Sequence, residues 1–111
     1  MKVLEFVLGM HVLSDREMEE YLRDMDGAVL YDVFYEAGTM LSGVMIAIER
    51  EYRRIGDEEK ADEIRDDDLS VIKMRASIDP YDTDKQISCK IAWSKRTQEM
   101  QKLLDRLRGS K

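Results

Sequence analysis

The stretch LYDVFYEAGTMLSGVMIAIEREYRRI, residues 30–55, decides the fold. Leu30, Phe34, Ala37, Leu41, Val44, Ile48, Tyr52 and Ile55 recur in it at three- and four-residue steps. Asp32, Glu36, Arg50 and Arg54 fall on the opposite face. That period predicts one amphipathic helix over about 28–55, ~42 Å long. From Ala37 to Ile48 no residue is charged, so all sides of the helix are expected to be covered there. Gly38 and Ser42, like Thr39 and Gly43, are small residues four apart. They are expected to admit a second backbone at close range, which would offset the propensity cost of two glycines.

Downstream, Gly56-Asp57 reads as a helix-ending glycine followed at once by an N-cap, with Glu58 and Glu59 at the positive end of the next helix. So short a connection predicts an antiparallel helical hairpin. Its second arm starts near 58, with a break expected at Asp66-Asp67-Asp68, where Asp68 would cap a continuation through Ile78. Asp79-Pro80-Tyr81-Asp82 is a further start signal, with Asp79 as N-cap and Pro80 as first helical residue. The helix it opens runs to Arg108 and is closed by Gly109. On it Cys89, Trp93, Met100, Leu103, Leu104 and Leu107 share a broad face.

A competing reading comes from alternation. Ile72, Met74, Ala76 and Ile78 alternate with polar residues, and so do Ile87, Cys89, Ile91 and Trp93, a pattern for a β-hairpin over 69–78 and 86–93. Its loop, 79–86, would be long and lack glycine, and the Asp-Pro helix start argues against it. The expected fold is therefore all-α: a small helical bundle with a long central helix and an antiparallel hairpin, as a single domain over 1–111. The α+β arrangement is the alternative.

Upstream, Ser14-Asp15-Arg16-Glu17 has the form of a capping box. Met18, Leu22 and Met25 continue it as a short helix that Asp26-Gly27 ends, Gly27 taking the left-handed turn. Residues 2–13 fit a helix through Val3, Phe6, Val7 and Met10, and equally a strand through Leu4, Phe6 and Leu8. The first nine residues look briefly like a secretion signal. Glu5 interrupts the apolar run, however, and no small-x-small site follows before the acids of 15–20. The longest uncharged run, the 12 residues from Ala37 to Ile48, is too short to span a bilayer. A cytoplasmic protein with no membrane association is expected.

Among 111 residues, 43% are hydrophobic and 38% charged, with one Pro and six Gly, a composition suited to one modest core. One Cys excludes an internal disulfide and a Cys-based zinc site, and one His excludes paired-His metal motifs. The net charge of −6 is unevenly spread. Residues 1–56 hold 6 bases and 11 acids, residues 57–84 hold 4 bases and 11 acids, and residues 85–111 hold 8 bases and 2 acids.

The most conspicuous cluster is acidic. Glu59, Asp62, Glu63 and Asp66 fall on one helix face, with Asp67 beside them. Like charges at these spacings repel and lower helix stability, which a use as phosphate mimics against a basic protein surface would explain. The plainer account is a solvated face that keeps the protein soluble. Asp66-Asp67-Asp68 and Asp82-Thr83-Asp84 supply oxygens but lack the spacing, glycine and terminal Glu of a calcium loop, so neither metal nor cofactor is expected. Lys95, Lys102 and Arg106 form a basic stripe near Lys90, Arg96, Arg108 and Lys111. The acidic domain as a whole would repel nucleic acid, and Trp93 alone offers no stacking platform, so direct nucleic-acid binding is not expected. His11 and Cys89 lack the surrounding motif of a thiolate pair. Tyr31 and Tyr35 lie off the main stripe of the long helix, where an interface would use them.

These features point to a non-enzymatic protein-binding module. The expected role is an acidic inhibitor or modulator of a nucleic-acid-binding protein, in the manner of antitoxins, immunity proteins and phage-encoded anti-CRISPR proteins. The expected partner is a protein with a basic surface. The alternative is a self-associating helical assembly subunit. Ile87 and Ile91, opposite the Cys89–Trp93–Leu103 face, motivate it, because they call for a cover from an oligomer or partner.

Overall fold

Gly56 adopts φ +84°, the left-handed region that a Cβ disfavours, and reverses the chain between two long helices. Asp57 follows immediately as N-cap, its side chain accepting from the Lys60 amide at 3.1 Å. The computed structural model describes residues 13–109 and forms four α-helices: α1 (Asp15–Arg23), α2 (Gly27–Arg54), α3 (Glu58–Ser77) and α4 (Thr83–Arg108). Among these residues the architecture is all-α. The 69–78/86–93 β-hairpin does not form. The reading of residues 2–13 as helix or strand falls, but for Leu13, outside the described residues.

Other local expectations hold or shift by a few residues. The capping box forms reciprocally. Ser14 Oγ accepts from the Glu17 amide at 3.1 Å, and Glu17 Oε1 accepts from the Ser14 amide at 3.1 Å. Gly27, expected to end α1 in a left-handed turn, instead opens α2. Asp26 is the N-cap, accepting from Ala28 N at 2.9 Å, and that makes a special glycine conformation unnecessary. The break expected at 66–68 is absent, because Asp68 points into the packed side of a continuous α3 and so cannot cap. The start of α4 moves from Asp79 to Asp82. Asp79 Oδ1 accepts from the Tyr81 amide at 2.7 Å in a local turn, while Asp82 accepts from the Lys85 amide. Buried Gln86 pins that turn, donating to the carbonyls of Asp79 and Pro80 at 3.2 and 2.7 Å.

The central helix α2 is the common partner. Both α3 and α4 pack along it, α1 packs on α4, and α3 and α4 hardly approach one another. The result is a slab of 46 × 41 × 17 Å, about two helix layers deep. The main core joins Phe34, Leu41, Met45 and Ile48 of α2 to Ile64 and Val71 of α3 and to Trp93, Leu104 and Leu107 of α4. The Trp93 ring stacks on Phe34 at 5.5 Å between centroids. Leu41 is fully buried, as the stripe predicts, whereas Val44 is only half-buried at the edge of the core.

The two small-residue pairs behave differently from one another. A Cβ at Gly38 would stand 2.9 Å from Arg75 Cδ and 3.1 Å from Trp93 Cζ3, so close approach is required there, by side chains and not by a backbone. Gly43 faces open space. The Arg75 guanidinium lies 3.9 Å from the centroid of the Tyr35 ring and donates to Tyr35 O and Thr39 Oγ1. This accounts for Tyr35 off the main stripe, while Tyr31 packs against the core.

A second, smaller core corrects the reading of Ile87 and Ile91. Ile87 is 2% exposed and packs with Leu22 and Leu30, and Ile91 packs against the same cluster with Met18 and Met25. The cover is the chain's own α1, so these two isoleucines do not require an oligomer. The same finding explains the alternation that resembled a strand. Ile87 and Ile91 join the smaller cluster under α1 while Cys89 and Trp93 join the main core, and two four-residue spacings offset by two positions mimic a period of two.

Candidate partner-binding surface

The outward side of α3 is dictated by its own pattern. Ala61, Ile64, Asp68 and Val71 are buried at three- and four-residue steps and fix which side faces the body. Glu59, Asp62, Glu63 and Asp66 are thereby turned outward, and all four are exposed; Asp67 is half-buried at the flank nearest α4. The five acids therefore share one arm but not one environment.

Two of the five are engaged in ion pairs. Asp62 accepts from Arg53 Nη2 at 3.0 Å, and Asp67 from Arg96 Nη2 at 3.1 Å. Arg53 also binds Glu49 and Glu58, so one guanidinium ties the end of α2 to the start of α3. Its proton affinity is raised, first by the hydrogen bond it donates to Asp62, then by those to Glu49 and Glu58. Glu59, Glu63 and Asp66 have no ion-pair partner among the described residues. At spacings of four and three they form a row of like charges along one helix edge.

The basic stripe of α4 is used differently. Lys95 pairs with Asp15 of α1, Arg23 of α1 pairs with Asp84 of α4 at 2.8 Å, and Arg96 reaches Asp67 of α3. The bases of α4 thus hold neighbouring helices at their flanks. Lys102 is exposed and has no ion-pair partner among the described residues.

Three features were not singled out from the sequence. Leu69 and Ile72 of α3, 44% and 38% exposed, lie outside the buried stripe of their helix, and Ile46 of α2 is 40% exposed. Their position relative to that stripe was the available signal. Second, a groove of about 490 Å³ between α2 and α4 is walled by Val29, Val33, Ala37 and Met40, with Asp32 and Glu36 at its edge and Lys90 and Ser94 opposite. Among the described residues Lys90 is bonded only to Ser94 Oγ, at 2.8 Å, and burial pushes its pKa down. Third, Asp68 is 8% exposed and its Oδ1 has no hydrogen-bond partner among the described residues.

Catalytic groupings are sparse. Cys89 is half-buried, and burial raises its pKa and suppresses the thiolate. His11 lies outside the described residues. No group of three His, Cys, Asp or Glu side chains among the described residues is placed to hold a metal ion. No helix of the described residues is long and apolar enough to cross a membrane. Comparison with protein-family models returns no match, and comparisons with curated proteins and with solved structures return no significant one.

Proposed function

We propose that the protein is a non-enzymatic binding module that presents the outer edge of α3 to a basic protein surface, and so blocks or modulates a nucleic-acid-binding protein. The observation that supports this is the contrast within one helix. Asp62 and Asp67 are paired internally, whereas Glu59, Glu63 and Asp66 stand outward without a counter-charge. Spacing carboxylates along a rigid helix edge imitates the regular negative charge of a nucleic-acid backbone. It also speeds encounter with a basic target by long-range attraction. Charge-mimicking inhibitors of this kind include antitoxins, immunity proteins and anti-CRISPR proteins, and the proposal places this chain beside them in mode of action.

The test is a pull-down from host lysate at low and high salt, followed by competition with DNA and RNA for the captured protein. Capture of a nucleic-acid-binding protein at low salt, displaced by nucleic acid and weakened by salt, supports the reading. Replacing Glu59 and Glu63 with Gln and Asp66 with Asn should then weaken capture, mainly at low salt. Unchanged capture by that variant would refute the mimicry.

A self-associating assembly subunit is the second reading. With Ile87 and Ile91 covered, it rests on the α2–α4 groove, where Val29 and Met40 remain 50% and 56% exposed. Light scattering distinguishes the two: concentration-dependent oligomers that Met40→Glu dissolves would favour assembly.

A further inference from the structure

Two hollows meet on α4. The groove of about 490 Å³ described above lies on the α2 side of Lys90 and Ser94. A second, of about 240 Å³, lies on the α1 side of the same two residues, walled by Leu13, Met18, Ile91 and Gln98. The helix α1 runs antiparallel along α4, since Asp15 pairs with Lys95 and Arg23 with Asp84. The helix α2 runs parallel to α4, since Leu30 clusters with Ile87 and Gly38 lies against Trp93. The hollows therefore form one trough floored by Lys90 and Ser94, with α1 on one bank and α2 on the other, and Leu13 stands at its Met40 end.

The trough calls for an occupant in two ways. Val29 and Met40 on its α2 bank are largely exposed, and half-buried Lys90 has Ser94 Oγ as its one partner among the described residues, a cation withdrawn from water without a counter-charge. The chain supplies a segment that fits. Residues 1–12 join the trough through Leu13. Eight of these twelve residues are apolar, Leu4, Phe6, Val7 and Leu8 among them, and Glu5 is their only acid. Twelve residues measure ~18 Å as a helix and ~40 Å extended, so in either form they span the ~17 Å from Val29 to Met40. Tethered at Leu13, the segment meets the groove at high effective concentration, whereas a separate molecule bears the full loss of translational and rotational freedom. A second copy seated symmetrically on the groove would also set the acidic edge of Asp32 and Glu36 against itself.

We infer that residues 1–12 of this chain dock back into the trough between α1 and α2, their apolar side chains over Val29, Val33 and Met40, with Glu5 in reach of Lys90. The inference is independent of the charge-docking reading, because the outer edge of α3 takes no part in it. It gives the apolar start of the chain an intramolecular use, as a strap across α4 that ties α1 to α2.

The experiment uses the full chain with Cys89→Ser and a nitroxide attached at Glu36→Cys, on the edge of the groove. Circular dichroism verifies that the labelled protein folds. In its NMR spectrum the amide signals of residues 2–8 should be broadened by the nitroxide and recover when it is reduced. A nitroxide at Lys73→Cys, on α3 and away from the trough, should leave them sharp. Sharp signals with the first label, or equal broadening with both, overturn the inference. Broadening seen only when isotope-labelled protein is mixed with a separate spin-labelled copy would show a second molecule in the groove and refute the inferred occupant. Stability gives an independent readout. Phe6→Ser/Val7→Ser and Val29→Ser/Met40→Ser should each lower the melting temperature, and the four substitutions together should lower it by less than the sum, because both pairs break the same contact. Strictly additive shifts, or none from Phe6→Ser/Val7→Ser, would overturn it as well.

Discussion

The arms α3 and α4 flank the same central helix, and both are long and heavily charged, yet they dispose of their outward residues in opposite ways. On α4 nearly every conspicuous feature is absorbed by the fold. Trp93, Leu104 and Leu107 pack on α2, Ile87 and Ile91 pack under α1, and Lys95 and Arg96 bind Asp15 and Asp67. On α3 the inner side packs equally well, but the outer side retains an unpaired acidic row and exposed Leu69 and Ile72. A conspicuous residue that the fold already uses explains stability, and one that the fold leaves over is available to a partner.

The largest expected effect tests whether α4 is covered on both sides. Ile87→Asp would place an unpaired carboxylate at a position 2% exposed, which should cost about 3–5 kcal/mol and lower the melting temperature steeply. Leu69→Asp on the outer side of α3 should change it little. Equal thermal shifts in the two variants would erase the contrast between the arms.

Next in size are the substitutions at the interface of α2 with both arms. In Gly38→Ala the new methyl would crowd Arg75 Cδ and Trp93 Cζ3, which other contacts hold in place, for a loss of about 1–2 kcal/mol. Gly43→Ala meets nothing and should stabilise the helix by about 0.5–1 kcal/mol. Denaturant titrations should therefore move in opposite directions for two glycines five residues apart. A gain in both would mean that Arg75 and Trp93 yield freely.

Within α3 itself, Asp68 is the one acid of the arm turned inward. Its Oδ1 is buried without a hydrogen bond, so Asp68→Leu should raise stability by about 1–2 kcal/mol. A loss on substitution would show that the carboxylate has a partner. The smallest effect belongs to the outer row. Neutralising Glu59, Glu63 and Asp66 together should leave the melting temperature unchanged or slightly higher, since like charges repel at three- and four-residue spacing. A clear drop would mean that the row stabilises the fold and is not left over.

How far the sequence could be read follows from the range of the interactions involved. Ser14 with Glu17, Gly56 with Asp57 and the stripe from Leu30 to Ile48 depend on neighbours within one or two turns, and each was legible. The fate of Ile87 and Ile91 depends on α1, more than sixty residues earlier, folding back over them, and no local pattern announces that. At Asp79 and Asp82 two cap residues three apart competed, and the buried Gln86 that favours the second is visible only once the loop is closed. The acidic row was legible as a row, but which acids would find partners was not, because Arg53 and Arg96 reach Asp62 and Asp67 from other helices.

The arrangement of both arms on one spine has a kinetic consequence. The α2–α3 hairpin closes over a three-residue connection and holds contacts of short sequence separation, so it is suited to form first and to serve as the nucleus on which α4 condenses. Because α1 makes most of its contacts with α4 and closes over Leu30 and Ile87 together, the expected order of assembly is hairpin, then α4, then the α1 clasp. Opening should run in reverse, with the amides of α1 exchanging with solvent while those of α2 persist to global unfolding. The acidic edge of α3 therefore sits on the part of the chain expected to become ordered first and to be lost last.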